Sequence, residues 1–372
     1  MNKKFLWGLG IFIFFYFIIQ LISTFYIDYQ WFKSLGHVNI FWTLFMTKFN
    51  VQGFFSALFV ILFFVNFLLI RLLAGKGRIF TQNILDRLQI PVLGSPKRVL
   101  FIVLAIGVVV AGFFMGLAAS AYWKEYLVFS NAVPFDKLPH DPIFNKDLGF
   151  YILKLPFYNF LLSWTMVSMV MIAIFSLFFH FVNGGISIRE SGFEFSLFSR
   201  VHLSILLAAI VIIMGVNYRI SAYELLFTDR AKFFGAGYSA VNARLLAYNV
   251  CMVLSFLAAC LLLLNIFIKS FKLPALVLIT LIPAYFVLGT VYPSLQQRFV
   301  VDPNELDKEG PYIETNIKYT RLAYDIDRVI EKPFKNNQKL DYAGIQRNRN
   351  TIDNVRLWDW RPLKPVSYTH LT

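Results

Sequence analysis

Over several long stretches of this chain the apolar positions do not alternate with polar ones at a helical or a strand period; they run on with few interruptions. A helix needs about 20 such residues to cross the hydrocarbon of a bilayer. Stretches of about that length without Asp, Glu, Lys or Arg number seven, at residues 5–25, 54–70, 99–122, 157–181, 201–216, 246–268 and 273–291. The fifth is the shortest and stops at Asn217 and Arg219. Within lipid a helix satisfies its own backbone, so the pattern predicts an all-α polytopic membrane protein with about seven transmembrane helices occupying residues 1–291.

Past Val291 the pattern changes. The last 81 residues hold 13 Lys or Arg and 11 Asp or Glu, with no run long enough to span, so residues 292–363 read as the water-facing start of an extracytoplasmic domain. Pro303 and Asn304 predict a turn, and Gly310 and Pro311 predict the opening of a helix, where the missing proline N–H costs nothing. That helix would carry Tyr312, Tyr319, Ala323, Ile326 and Ile330 on one stripe, away from Lys318, Arg321, Asp325 and Arg328. Too few apolar residues follow to bury the stripe in a core of its own. The segment from Pro303 to Ile330 is therefore expected to couple membrane and outer domain by docking on outer loops, the nearest being 121–156. Glu305, Asp307 and Glu309 precede the helix, where its positive end favours acids.

Charge sets the expected orientation. With the N-terminus in the cytoplasm, short inner segments carry 12 Lys or Arg against three acids (Asp86, Glu190 and Glu194), and the longer outer loops carry 10 against seven. That asymmetry predicts N-terminus in and C-terminus out. Lys3 and Lys4 precede the first run as in a signal peptide, but the run is too long for one and lacks a small-residue cleavage site near Ser23, so it reads as an uncleaved anchor. Composition agrees: 58% hydrophobic and 18% aromatic residues, with 42 Phe, belong to a chain solvated by lipid. The net charge of +14 is dispersed between apolar runs and forms no continuous basic arm, so it marks membrane orientation and no nucleic-acid partner.

Candidate chemistry is sparse. The spans hold essentially no ionisable groups, the usual mark of ion-coupled transport. His180 and His202 flank an inner loop where they could pair, although interfacial packing is the commoner role. Asn66 and Asn265 sit midspan, as polar residues that glue helices do. The small-residue spacing of Gly112, Gly116 and Ser120 reads as structural helix packing. Asp141, Asn145 and Asp147 in DPIFNKD, and the acids of PNELDKE, offer oxygen ligands, but neither follows the calcium-loop spacing, so both read as solvated loops. Gly235 to Gly237 lack the strand and third glycine of a dinucleotide loop and read as a turn. Cys251 and Cys260 are nine residues apart, on opposite sides of one helix, which excludes a disulfide or a metal pair. Tyr26, Tyr29, Trp31 and Phe32, with Tyr122, Trp123 and Tyr126, fit an interfacial aromatic belt. No nucleophile elbow, P-loop or zinc signature occurs, so no catalytic, cofactor-binding or metal residue is assigned.

WFKSLGHVNIFW, DPIFNKDLGFYILKLP, RVHLSILL, LLFTDRAKFFGAGYSAVNARL and VDPNELDKEGPYIETNIKYTRLAYDID together resemble uncharacterised protein family 0182 of bacterial and archaeal membrane proteins. The resemblance covers the chain to about Leu363 and implies a seven-span region followed by a large extracytoplasmic domain; it implies no activity. Residues 364–372 look foreign to that pattern, so the chain is expected to be a truncated member with a non-native tail. The expected role is a non-enzymatic anchor in the cell membrane of a prokaryote, in contact with membrane lipid and holding a domain that binds envelope polymer, lipid or another membrane protein. The competing expectations are a transporter or channel, and an outer-face enzyme whose site lies beyond this chain.

Overall fold

The computed structural model describes residues 3–73, 96–135, 138–182, 184–189, 192–229, 233–268, 270, 272–333, 341–356 and 361. Lys76, Arg78 and Arg87, three of the six inner basic residues between the second and third runs, lie outside the described residues, as do the 364–372 tail and Lys137. The chain divides into two compact units, Met1–Asn316 and Ile317–Thr372, so the first extends past the boundary expected at residue 291.

The first unit is built of long helices: α1 (Lys3–Ser34), α2 (Val38–Leu73), α3 (Pro96–Ser120), the short α4 (Trp123–Ser130), α5 (Leu155–Val182), α6 (Leu197–Glu224), α7 (Leu245–Ile268) and α8 (Lys272–Phe286). Among the described residues six helical stretches are long and apolar enough to cross a membrane, at Val38–Leu72, Ile102–Ser120, Phe150–Phe181, Leu197–Phe227, Ala240–Ile268 and Lys272–Ala323. The first expected run falls on α1, 32 residues long, many of whose side chains lie outside the described set. No more than 33% of any of the six apolar windows is buried inside the protein, so most of each faces outward. Such a surface is stable only against hydrocarbon, and the chain is a multi-pass membrane protein.

Several helices outrun the apolar cores read from sequence. α2 begins at Val38, so Lys48, expected in a loop, lies on a helix with its ammonium 5.2 Å from the centroid of the Trp123 ring. A helix end at the membrane surface tolerates a lysine whose head reaches water. α6 likewise runs through Asn217 and Arg219 to Glu224. The largest difference follows α8. Instead of a turn at Pro303, the helical path continues through a π turn (Val287–Val291), α9 (Tyr292–Gln296), a second π turn (Gln297–Val301) and a 3₁₀ turn (Asp302–Asn304) into α10 (Glu305–Ala323). In a helix a proline ring collides with the carbonyl four residues back. For Pro293 and Pro303 those carbonyls belong to Gly289 and Phe299, each inside a π turn, whose extra residue makes room.

Aromatic contacts join α1 to α2, where Phe25 meets Phe41 and Phe45 with ring centroids 5.2 and 5.1 Å apart. Val51, Phe55 and Phe59 of α2 pack with Ala119 of α3 and with Phe160 and Trp164 of α5. Phe63, Val108, Ile172 and Leu206 carry that core on to α6, and a further core of Ala208, Val211, Ala258, Ala259, Leu262, Val277 and Leu281 joins α6, α7 and α8. The alanines here are what let helix backbones approach closely where lipid offers no hydrophobic drive.

The two ends of this bundle differ. One, the loop end, carries residues 131–135, 138–149, 228–229 and 233–239. The other carries a hairpin, β1 (Ile186–Arg189) and β2 (Gly192–Phe195), antiparallel with Ile186 opposite Phe195. In the second unit α10 finishes at Ala323, followed by α11 (Tyr342–Arg347) and α12 (Arg349–Ile352).

Candidate functional site

At the loop end, a carboxylate from α10 holds the connection between α6 and α7. Glu309 is only 4% exposed, and its Oε2 accepts the Tyr238 N–H at 2.9 Å. Tyr238 begins the helical turn that continues as Ala240–Arg244, so Glu309 caps, from another helix, a terminus whose first N–H groups lack partners within it. Gly237 makes the approach feasible, because a Cβ there would lie 2.7 and 3.0 Å from the two carboxylate oxygens. The loop is closed by the Gly235 N–H donating to Thr228 O at 2.8 Å, with Gly235 at φ +140°. Around this cap Asn316 Nδ2 donates to Phe234 O at 2.8 Å, Asn242 Nδ2 donates to the Tyr312 hydroxyl at 3.1 Å, and the Lys308 ammonium sits 5.3 Å from the Tyr238 ring centroid.

This geometry revises the expected coupler in three respects. The helix opens at Glu305, with Pro311 inside it. It ends at Ala323, so Ile326 and Ile330 are not on its stripe; Asp325 takes a positive φ of 55° and the Ile326 N–H donates to Arg321 O at 2.9 Å. The 305–316 segment docks on the 233–242 loop, where the nearer expectation was 121–156. Tyr312 faces that loop, Tyr319 is half-buried in the second unit, and Ile326 and Ile330 are 44% and 80% exposed. The driving contacts are polar caps, so an apolar stripe was the wrong signal to follow.

DPIFNKD is not a solvated loop either. Asp141 is 2% exposed; Oδ1 accepts from the Ile143 and Phe144 N–H groups at 2.9 and 2.7 Å, and Oδ2 from the Lys146 N–H and the Tyr151 hydroxyl, both at 2.8 Å. Asn145 takes φ +53° to close the turn, and Asp147 Oδ1 accepts the Phe135 N–H at 3.0 Å. The knot rests on Tyr151, Leu155 and Tyr223, with the Arg219 guanidinium 4.9 Å from the Tyr223 ring centroid. Four donors occupy the Asp141 carboxylate, which gives it a backbone-ordering role.

At the hairpin end the structure brings together the two histidines left apart by 22 positions. His180 Nε2 lies 3.0 Å from His202 Nδ1, and His180 Nδ1 lies 3.1 Å from Ser199 Oγ, which donates to Gly185 O at 3.0 Å. Ser196 Oγ, 2.8 Å from Ser199 Oγ, extends the chain and caps α6 by accepting the Ser199 N–H. His180, Ser199 and His202 are buried. Within the bundle Asn66 Nδ2 donates to Ser176 Oγ at 2.7 Å and Asn265 Nδ2 to Ser204 Oγ at 2.9 Å, each joining two helices.

Gly112 and Gly116 are buried against α2: a Cβ on Gly112 would lie 2.5 Å from Val60 Cγ2, and one on Gly116 would overlap Ser56 and the Gln52 carbonyl. Ser120 bonds back to Leu117 O of its own helix. Cys251 is buried and Cys260 exposed, on opposite faces of α7. Among the described residues no group of three or more His, Cys, Asp or Glu could hold a metal ion. What the sequence reading missed is burial. Asp141 binds N–H groups two, three and five residues on, so its turn is a local feature, whereas Glu309 caps an N–H 71 positions away, which no local pattern records.

Comparison with known proteins agrees with the resemblance. The model of an uncharacterised protein family, UPF0182, matches residues 5–371. Among curated relatives, the UPF0182 protein of Desulforamulus reducens is 33% identical over 358 residues, covering 91% of this chain and 38% of its own length. That of Pelotomaculum thermopropionicum is 32% identical, covering 91% and 38%, and that of Trichodesmium erythraeum 34%, covering 90% and 36%. The chain thus spans under two-fifths of the length of these relatives. The family match runs through the segment read as foreign, up to residue 371, and lends no support to a non-native tail or a truncated chain. No solved structure matches.

Proposed function

The chain belongs to the uncharacterised UPF0182 family, and we propose that it serves there as a multi-span anchor in a prokaryotic cell membrane for an extracytoplasmic domain. The observation that carries this reading is the Glu309 cap. The final apolar helix continues directly into a polar one, and that polar helix is fastened to the loop between α6 and α7 by a buried carboxylate and two asparagines. A tether that only reached away from the membrane would need no such fastening. On this reading the chain that follows is presented outside, to envelope polymer, lipid or another membrane protein.

Topology decides the proposal. Reporter fusions after Lys97 and Lys272 should read cytoplasmic, and fusions after Asn131 and Glu309 external. An external reading at Lys97 would overturn it. The transporter reading is tested by solute uptake into vesicles containing the chain.

A further inference from the structure

At the hairpin end a groove of about 500 Å³ lies between α5 and the hairpin, lined by Ile174, Leu177, Phe178, Phe181, Ile186 and Phe195. We propose that it binds one acyl chain of a membrane phospholipid, with the hairpin as its roof. The site goes beyond the anchoring role and does not depend on it.

Three observations converge on this occupant. The wall is wholly apolar, and its four α5 residues lie within the Phe150–Phe181 span, so the medium on the groove's open side is hydrocarbon. The size falls within the roughly 300–1,000 Å³ of small-molecule sites. Left empty, the groove would forfeit the dispersion contacts of all six lining side chains, and water would find no polar partners there.

The roof, finally, is held in place. Gly185 N–H donates to His180 O at 2.8 Å, Ser196 N–H to Gly185 O at 2.7 Å, Ser199 Oγ to the same carbonyl at 3.0 Å, and Arg200 Nε to Phe195 O at 2.9 Å. These bonds fix both strands at the pair Ile186 and Phe195, so the hairpin cannot settle onto α5 and close the groove. The buried His180 and Ser199 thereby acquire a purpose that needs no chemistry: they set the height of the roof. Gly185 leaves no space for adjustment, since a Cβ there would lie 3.2 Å from His180 O and closer still to Ser199 Oγ.

The test is native mass spectrometry of the detergent-purified full chain, read beside labelling by a phosphatidylcholine carrying a diazirine on its acyl chain, present in trace in phosphatidylethanolamine and phosphatidylglycerol vesicles. Wild type should retain one phospholipid per chain, and label should concentrate in residues 174–195. Leu177→Trp puts a larger, rigid ring across the groove and should lower both by about tenfold; should it fail to fold by circular dichroism, Ile174→Trp serves instead. Ser199→Ala, which frees the roof, should lower retention with the groove residues intact. Ile279→Trp, at an exposed position on α8, should change neither. Retention unchanged in Leu177→Trp, label spread evenly over α5 and α8, or a wild type that flies lipid-free or as a lipid-free dimer would each overturn the proposal.

Discussion

Replacing Glu309 with Ala removes the acceptor of a buried backbone N–H and leaves the rest of α10 in place. The Tyr238 amide would lose a hydrogen bond to an ionised group, which contributes about 1.5–3 kcal/mol in a partly buried setting. Each 1.4 kcal/mol is tenfold in an equilibrium, so local opening of the 233–242 loop should become roughly ten- to 150-fold more frequent. Hydrogen exchange resolved to the Tyr238 peptide, in detergent or nanodisc, reads this directly, and proteolysis between α6 and α7 should accelerate in parallel. Glu309→Gln keeps a carbonyl oxygen in place and should lose less than Glu309→Ala. Gly237→Ala should imitate the loss from the other side by pushing the carboxylate away. Ile326→Asp, at an exposed position past the end of α10, is the control. If Glu309→Ala left the exchange of Tyr238 at the wild-type rate, the cap would not be what fastens the helix, and the anchoring proposal would lose its main support.

The small residues of α3 should separate by environment. Gly116→Ala, whose Cβ would overlap Ser56 and the Gln52 carbonyl, should destabilise by about 1–3 kcal/mol in a thermal or denaturant assay in detergent. Gly107→Ala, with nothing within 4 Å, should be neutral or stabilising by up to about 1 kcal/mol. Asp141→Asn keeps Oδ1 for the Ile143 and Phe144 N–H groups but turns an N–H₂ toward the Lys146 N–H, which loses its acceptor; the cost should be about 1–3 kcal/mol, read as a lowered midpoint in thermal or denaturant unfolding in detergent. In intact cells Cys251, buried in α7, should not react with a membrane-impermeant maleimide, and Cys260, on the lipid-facing side of the same helix, should not either; rapid labelling of Cys260 would place it beside water and revive a transport pathway.

The spans were legible because their signal is local and strong. A run of apolar residues is needed wherever the surroundings are hydrocarbon, whichever neighbours a helix has, and α5, α7 and α8 begin or end within a few residues of the runs read from sequence. Helix ends were less legible, for a physical reason: Lys48 and Arg219 reach aromatic faces and water from helical positions, so a charge does not stop a helix at the surface. The path through Pro293 and Pro303 was hidden because a π turn absorbs the clash that ordinarily ends a helix, and no residue type announces a π turn. Least legible were the sites themselves. Two of them join residues distant in sequence, His180 with His202 and Glu309 with Tyr238, and a lone His or Glu carries no record of its partner.

The polar groups inside the bundle bear on which function such a fold can support. Asn66 is matched to Ser176, and Asn265 to Ser204, while Asn265 Oδ1 also accepts the Ser270 N–H at 2.9 Å. Each asparagine–serine pairing joins two helices and commits a donor that a passing solute would otherwise find. Beside the Asn265 cluster lies a cavity of about 80 Å³, bordered by Arg200, Ser204, Asn265 and Ser270. At about 30 Å³ for each water that volume accommodates two or three, which suits bridging water better than a passage. Opening a path there would require unpairing Asn265 in a medium where an unmatched amide costs several kcal/mol. The Asn265–Ser204 bond ties α7 to α6 at their hairpin ends, while the Glu309 cap holds the turn joining those two helices at the other. A pair of helices fixed at both ends makes a stiff base, which is the mechanical property an anchor needs and one that a gate must give up.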